Sequence, residues 1–342
     1  MKIKTINSII TKKVNEWIET IDDEALKDDV KKNVIVTGGC IASMLLKEQV
    51  NDFDVYFTNL RTTYNVARYY HKEFFGEETP DCFVQICSLR DNQQWVDINL
   101  GDDKIPNNKD YTSLYESVLD YVPEQGEDVK YRVRVWLRSS GVAGEQPQEE
   151  EVHVDQYDSY ENNEQIDLNN VLDDLEDVVP EAVEKFKPTF ITDNAITLTN
   201  RIQLVLRFYG SPEVIHDNYD YVHATNYWDS KSGKVTTNVD ALECILAKEL
   251  KYVGSRYPLA SIFRMRKFIQ RGWSVNVGQI LKASLQLNDM DLNNPYVFAN
   301  QVTGVDVHYM AQLVRQIQSK YEEDPTIDIK SYAMNIINKI FG

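Results

Sequence analysis

The stretch from Val34 to Phe57 constrains this chain more than any other. Val34-Ile-Val-Thr37 is a short run of β-branched residues ending on Gly38-Gly39, which reads as a buried strand stopped by a tight turn. Cys40–Glu48 then reads as a helix. Asp52-Phe53-Asp54-Val55 opens a second strand over Phe53–Thr58. Residues two apart in a strand share a face, so Asp52 and Asp54 point one way while Phe53 and Val55 point into the core. Glycine lets the backbone turn tightly and lets a ligand approach closely. A helix start offers unpaired N–H groups to an anion. Ser43, one helical turn beyond Gly39, places its hydroxyl over the same opening. Two neighbouring carboxylates repel, and a divalent cation relieves that repulsion. Hard oxygen ligands suit magnesium, with manganese as the alternative. Such ions stabilise the attacking and leaving oxygens of a phosphoryl displacement.

Charge is distributed unevenly along the 342 residues. Lys and Arg number 36 against 54 Asp and Glu, a net charge of −18. Thirteen acids and no Lys or Arg lie between Gly141 and Pro180, so this segment is expected to be a solvated, mobile insertion. Lys248 to Arg271 reverses the sign, with seven cations against Glu249 alone. Tyr252, Tyr257, Phe263, Phe268 and Trp273 lie among or beside those cations, a combination that suits phosphates and stacked bases. An amphipathic helix with a solvated basic face would give the same composition.

Several classes are excluded at this stage. The longest uncharged, mostly apolar run, Val34–Leu46, has 13 residues, short of the ~20 a membrane helix needs. Four cysteines (Cys40, Cys82, Cys87, Cys244) show no CxxC pair and are too sparse for a disulfide framework. The expectation is a soluble, reduced, cytoplasmic protein. Cys40 reads as a packed thiol. His216-Asp217 lacks the further histidines that a metal phosphohydrolase of the HD type needs.

Along the chain, Ile6, Ile9, Ile10, Val14, Trp17, Ile18 and Ile21 give an amphipathic N-terminal helix. Leu60–Phe75 reads as a helix, and Phe83–Leu89 and Gln94–Leu100 as paired strands. Tyr131–Leu137, Ala195–Thr199 and Tyr219–Tyr227 read as further strands. Ile202–Phe208 reads as extended or helical. A linker or turn is expected near Asp229–Gly233, with helices from Ala241 onward. The fold class is α+β: a mixed sheet with flanking helices, followed by a helical C-terminal region. The division is an N-terminal helix over 1–32, an α+β domain over 33–240 with an acidic insertion at about 141–180, and a helical domain over 241–342.

Thr37-Gly38-Gly39 followed by Asp52-Phe53-Asp54 resembles the signature of the DNA polymerase β-type nucleotidyltransferase superfamily, which includes tRNA nucleotidyltransferases and poly(A) polymerases. The resemblance covers about Val34–Phe57 and Ile196–Gly272. It implies magnesium, a nucleoside triphosphate, and a third carboxylate on a neighbouring strand with hydrophobic flanks. Asp97, in Trp95-Val96-Asp97-Ile98, and Asp220, in Tyr219-Asp220-Tyr221-Val222, both fit. Ile202–Ile215 followed by Tyr219–His223 looks like viral and phage members, and on that likeness Asp220 is preferred. Cys40-Ile41-Ala42 stands where tRNA nucleotidyltransferases carry an Arg after the glycines, and their template-like base-reading motif has no counterpart.

The resulting expectation is transfer of a nucleoside monophosphate to a hydroxyl. Asp52, Asp54 and Asp220 would be the catalytic, metal-binding carboxylates. Gly38, Gly39 and Ser43 would hold the β- and γ-phosphates. Lys251, Arg256 and Arg264 would supply cations, and Tyr257 would stack the base. The favoured acceptor is an RNA 3′ end tracked by residues 248–273. The alternatives are a protein hydroxyl, as in toxins and effectors that transfer AMP or UMP, and a catalytically inactive binding or virion component. If phage-encoded, the chain would act in the host cytoplasm.

Overall fold

The computed structural model describes residues 1–79, 82–91, 95–98, 115–127, 129–137, 142–144, 186–302 and 308–341. Apart from 142–144, the acidic segment 141–180 lies outside these described residues, and so does the expectation of a solvated insertion there. Helix α1 (Ile3–Glu19) buries Ile6, Ile9, Ile10, Val14, Trp17 and Ile18, the stripe that its three- and four-residue spacing dictates. Asp23 then caps α2 (Glu24–Asn33) by accepting from the Leu26 N–H. The single helix expected over 1–32 is thus two, because Asp23 supplies an N-cap that restarts the chain.

Strand β1 (Val34–Thr37), helix α3 (Gly39–Leu46), strand β2 (Phe53–Phe57) and helix α4 (Leu60–Phe75) follow. Next come β3 (Cys82–Leu89), β4 (Trp95–Asp97), β5 (Tyr131–Leu137), β6 (Val142–Gly144), β7 (Pro188–Thr192), β8 (Ala195–Leu198) and β9 (Ile202–Val205). A short helix α5 (Pro212–His216), strands β10 (Tyr227–Asp229) and β11 (Lys234–Thr236), and six helices complete the described chain: α6 (Val239–Ala247), α7 (Pro258–Gln270), α8 (Val277–Asn288), α9 (Pro295–Gln301), α10 (His308–Glu323) and α11 (Ile329–Phe341).

The architecture is mixed α+β. One eight-stranded sheet runs β11-β10-β1-β2-β9-β8-β7-β6, and a three-stranded sheet runs β4-β3-β5. In the larger sheet β2 and β9 are parallel, whereas β1 pairs antiparallel with β2 and with β10. Helices α1, α2 and α4 cover these sheets in one continuous apolar core, which includes Val36, Val55, Tyr64, Val84, Val133 and Leu204. Trp17 Nε1 donates to Tyr70 Oη at 2.7 Å, tying α1 to α4. The C-terminal helices form two more clusters. One centres on Tyr221, Ile245, Tyr252, Met265 and Trp273 and reaches α3 through Ala42. The other centres on Phe298, Leu313, Ile317 and Ile336. Among the described residues no helix is long and apolar enough to cross a membrane.

Two sequence expectations change. Tyr219–Tyr227 is not a strand: Tyr221 makes an isolated bridge to Tyr252, Val222–Ala224 is one 3₁₀ turn, and β10 begins only at Tyr227. Its backbone is used instead to hold the end of β1, with Ala224 O accepting from the Gly38 N–H at 3.2 Å and Asn226 O from Thr37 Oγ1 at 3.0 Å. The extended reading of Ile202–Phe208 holds only to Val205, and the turn near Asp229–Gly233 is the hairpin joining β10 to β11.

His71 and His223 are buried, and burial pushes each imidazole down to about 4. Each stays neutral in the folded chain but protonates near 6.5 when unfolded, so stability falls as pH drops from 6.5 towards 4. Between pH 7 and pH 5, His71→Gln and His223→Gln should each lose about 1–2 kcal/mol less stability than wild type. Denaturant melts at the two pH values measure this; equal slopes would show that these rings do not set the acid sensitivity.

Candidate active site

Four elements converge on one opening. β1 delivers Thr37 to the edge of the sheet, and Gly38 turns the chain into α3. Gly38 has φ +91° and ψ −152°, a conformation open essentially only to glycine. A Cβ at Gly38 would lie 2.7 Å from Asp54 Oδ2, whereas one at Gly39 would meet nothing within 4 Å. The first glycine is therefore required by both backbone and neighbour, and the second leaves open space in front of the helix. No side chain caps the N-terminus of α3.

Asp54 sits in β2 between Thr37 on β1 and Gln203 on β9. Phe53 and Val55 are buried on the opposite face, as alternation requires, and Asp52 lies exposed just before the strand. Burial raises the Asp54 carboxyl to about 7, and the charge of Asp52 adds to that shift while Lys267 opposes it. Tyr219 Oη is buried and would be 3.6 Å from a Gly38 Cβ, with the Tyr56 and Thr37 hydroxyls as neighbours. Two repelling carboxylates beside an open glycine turn form a donor set that suits a divalent cation carrying phosphate oxygens. Among the described residues no cluster of three metal-ligating side chains occurs.

Cations reach this opening from α7. Arg264 is ion-paired with Asp220. Lys267 acts on Asp54 through its charge. Arg271, just past the helix, donates to Glu48 at 2.7 Å and to Ser43 Oγ at 3.3 Å. Spacings of three and four place these residues along one helical face. Lys267, Arg271 and Tyr219 were not among the sequence candidates, although the phase of the basic stretch from Arg264 points to the first two.

The remaining candidates each have partners of their own. Asp220 is buried against Arg264, and His223 and Tyr221 both feel its charge. Asp97 lies in the three-stranded sheet, where Tyr115 Oη donates to it. The position beside Asp54 on β9 is held by Gln203, not by a carboxylate. Lys251 is 3.7 Å from Asp240 on the surface. Arg256 donates to the Glu127 carbonyl at 3.2 Å and lines a cavity of about 510 Å³ with His216, Asp217 and Tyr219. The Tyr257 ring lies under Arg207. Burial and Asp54 both push the Cys40 thiol upward, as packing rather than reactivity requires. Thr37 Oγ1 is 2.9 Å from His216 Nε2, which burial keeps neutral.

Comparison with known proteins adds three findings. No curated protein matches the chain. Among solved structures, the Thermotoga maritima CCA-adding enzyme complexed with tRNA is similar over 90% of this chain and 53% of its own, at 9% identity and a TM-score of 0.35. The Bacillus stearothermophilus CCA-adding enzyme in complex with CTP is similar over 86% and 51%, at 10% identity and a TM-score of 0.31. The chain thus spans about half the length of these enzymes. Residues 8–248 match the sequence model of Gabija anti-defense 2 (Gad2) family proteins.

Gly38→Ala should destabilise the fold by about 2 kcal/mol or more, from backbone strain and from the clash with Asp54. Gly39→Ala should change stability by less than about 1 kcal/mol. Thermal melts of both variants test the assignment, and equal effects would contradict it.

Proposed function

The chain belongs to the Gabija anti-defense 2 family, and from that premise we propose that it counters defence as a magnesium-dependent nucleotidyltransferase. The observation that carries this reading is the Asp54 carboxylate, raised by burial and by Asp52, set against the Gly38 turn and faced by the cations of α7. Asp52 and Asp54 would hold magnesium, which when bound neutralises phosphate charge and polarises the reacting phosphoryl group.

The chain's own residues do the rest. Gly38 and Gly39 give the triphosphate room to approach the backbone, and the N-terminal amides of α3 face it. Lys267 and Arg271 offset its negative charge, and the Ser43 hydroxyl adds a donor. Asp220 keeps Arg264 extended over the opening. Tyr219 Oη donates into the site. The acceptor hydroxyl oxygen bonds to the α-phosphorus as the bond to pyrophosphate breaks, and the hydroxyl proton leaves to solvent. Positioning and charge, rather than covalent chemistry, supply the acceleration.

The basic and aromatic character of 248–273 favours an RNA 3′ end as acceptor. The family's name favours a second reading, in which the acceptor is a hydroxyl on a defence protein. Incubating the chain with each α-labelled nucleoside triphosphate, magnesium, RNA and cell protein separates them. Label should appear on one acceptor class, vanish in the Asp52→Ala, Asp54→Ala double variant, and fall at least tenfold in rate with Lys267→Gln. Labelling that survives the double variant would refute the assignment of these carboxylates, and no labelling by folded wild type would refute the activity.

A further inference from the structure

A second group of charges, away from the carboxylates, has no described partner. Arg132 on β5 and Arg207 beyond β9 are 7% and 6% exposed. Arg132 Nε and Arg207 Nη2 are both buried without a hydrogen-bond acceptor. Tyr209 Oη donates to the Tyr131 carbonyl at 2.7 Å, which brings the Arg207 segment to the start of β5 where Arg132 lies. Burial, and then Arg207 and Arg134, push the Arg132 guanidinium down to about 9, so it remains charged at neutral pH. Arg134, the next inward residue on β5, shows what a satisfied arginine looks like here: it donates to Asp193 at 2.9 Å. The only described carboxylate in register with Arg132 across the sheet is Asp97, which is taken by Tyr115.

Each orphan is stacked on an aromatic ring. Arg132 lies 4.4 Å from the Trp95 ring centroid and Arg207 4.1 Å from that of Tyr257. Stacking holds each guanidinium plane in place but does not use its N–H edge. Two buried like charges on neighbouring segments, each with an unused donor, are costly unless an anion completes them. A fixed pair of guanidinium forks matches the oxygens of a phosphate.

We propose that Arg132 and Arg207 form a phosphate-binding site for a single-stranded nucleic acid, distinct from the opening at Asp54. Tyr257 immediately precedes α7, and Lys267 lies ten residues further on, so about 15 Å of helix separates the two sites. A triphosphate bound at Asp54 does not extend that far, and its nucleoside carries no other phosphate. The second anion therefore belongs to the other substrate, and the flanking Trp95 and Tyr257 rings favour a nucleotide strand. The identity of that strand as the acceptor rests on the nucleotidyl-transfer reading, whereas the anion site does not.

The test is fluorescence anisotropy of a labelled oligoadenylate with a blocked 3′ end, in chelator, so that no turnover or metal is involved. Arg132→Gln and Arg207→Gln should each weaken binding about tenfold or more and lower the salt slope by about 0.7. Arg207→Lys, which keeps the charge but loses the fork, should fall between. Lys320→Gln, a surface control on α10, should match wild type. Thermal melts without ligand should show the Gln variants at least as stable as wild type, since removing one of two like charges relieves repulsion. Equal oligonucleotide affinity in wild type and both folded variants would overturn the proposal. So would thermal protection by inorganic pyrophosphate that depends on the pair, with no oligonucleotide binding. Loss of label transfer in the Asp52, Asp54 double variant with binding intact would separate this site from the catalytic reading.

Discussion

Gly38 turns the chain at φ +91°, a conformation that L side chains rarely adopt, with Asp54 Oδ2 2.7 Å from where a Cβ would lie, and the site is arranged around this turn. Burial and the charge of Asp52 raise the affinity of the Asp54 carboxylate for a proton, and a divalent cation shared by the two would relieve their repulsion. The turn can adopt its conformation only as glycine, so the strand-to-helix junction and the carboxylate are fixed together. The end of β1 is in turn held by the 222–226 segment through Gly38 N–H and Thr37 Oγ1. A change at any of these points moves the others.

The C-terminal helices matter because they bring positive charge to that spot. Phe268 and Trp273 pack around His223, with ring centroids 4.6 Å from it on both sides. Tyr221 Oη donates to the Ser261 carbonyl at 2.7 Å. These contacts fix the rotation of α7, so that Arg264 and Lys267 meet the site. Arg271 links the helix end to α3 through Ser43 and Glu48. An apolar cluster thus sets an electrostatic arrangement, although none of its rings carries charge.

What could be read from sequence was mostly local. The Ile6–Ile18 periodicity, the turn at Gly38-Gly39 and the alternation around Asp54 each depend on neighbours within a few residues, and each forms as read. Features that depend on distant pairing were not legible. Gln203 stands beside Asp54 only because β9 joins β2 in parallel across about 150 residues of chain. Asp220 meets Arg264 only because α7 packs back against the segment around Tyr221. Tyr219–Tyr227 alternates aromatics like a strand, but those rings pack around His216, His223 and Tyr252 in an irregular segment. Arg132 read as part of a polar strand face, and nothing local shows that Arg207 is buried against it.

The central claim is that the Asp52–Asp54 pair is a divalent-cation site that recruits a triphosphate. Calorimetric titration with a non-hydrolysable nucleoside triphosphate, with magnesium and then with chelator, tests it most directly. Wild type should bind only when magnesium is present, and Asp54→Asn should lose that binding. Equal triphosphate binding with and without magnesium, undiminished in Asp54→Asn, would contradict it.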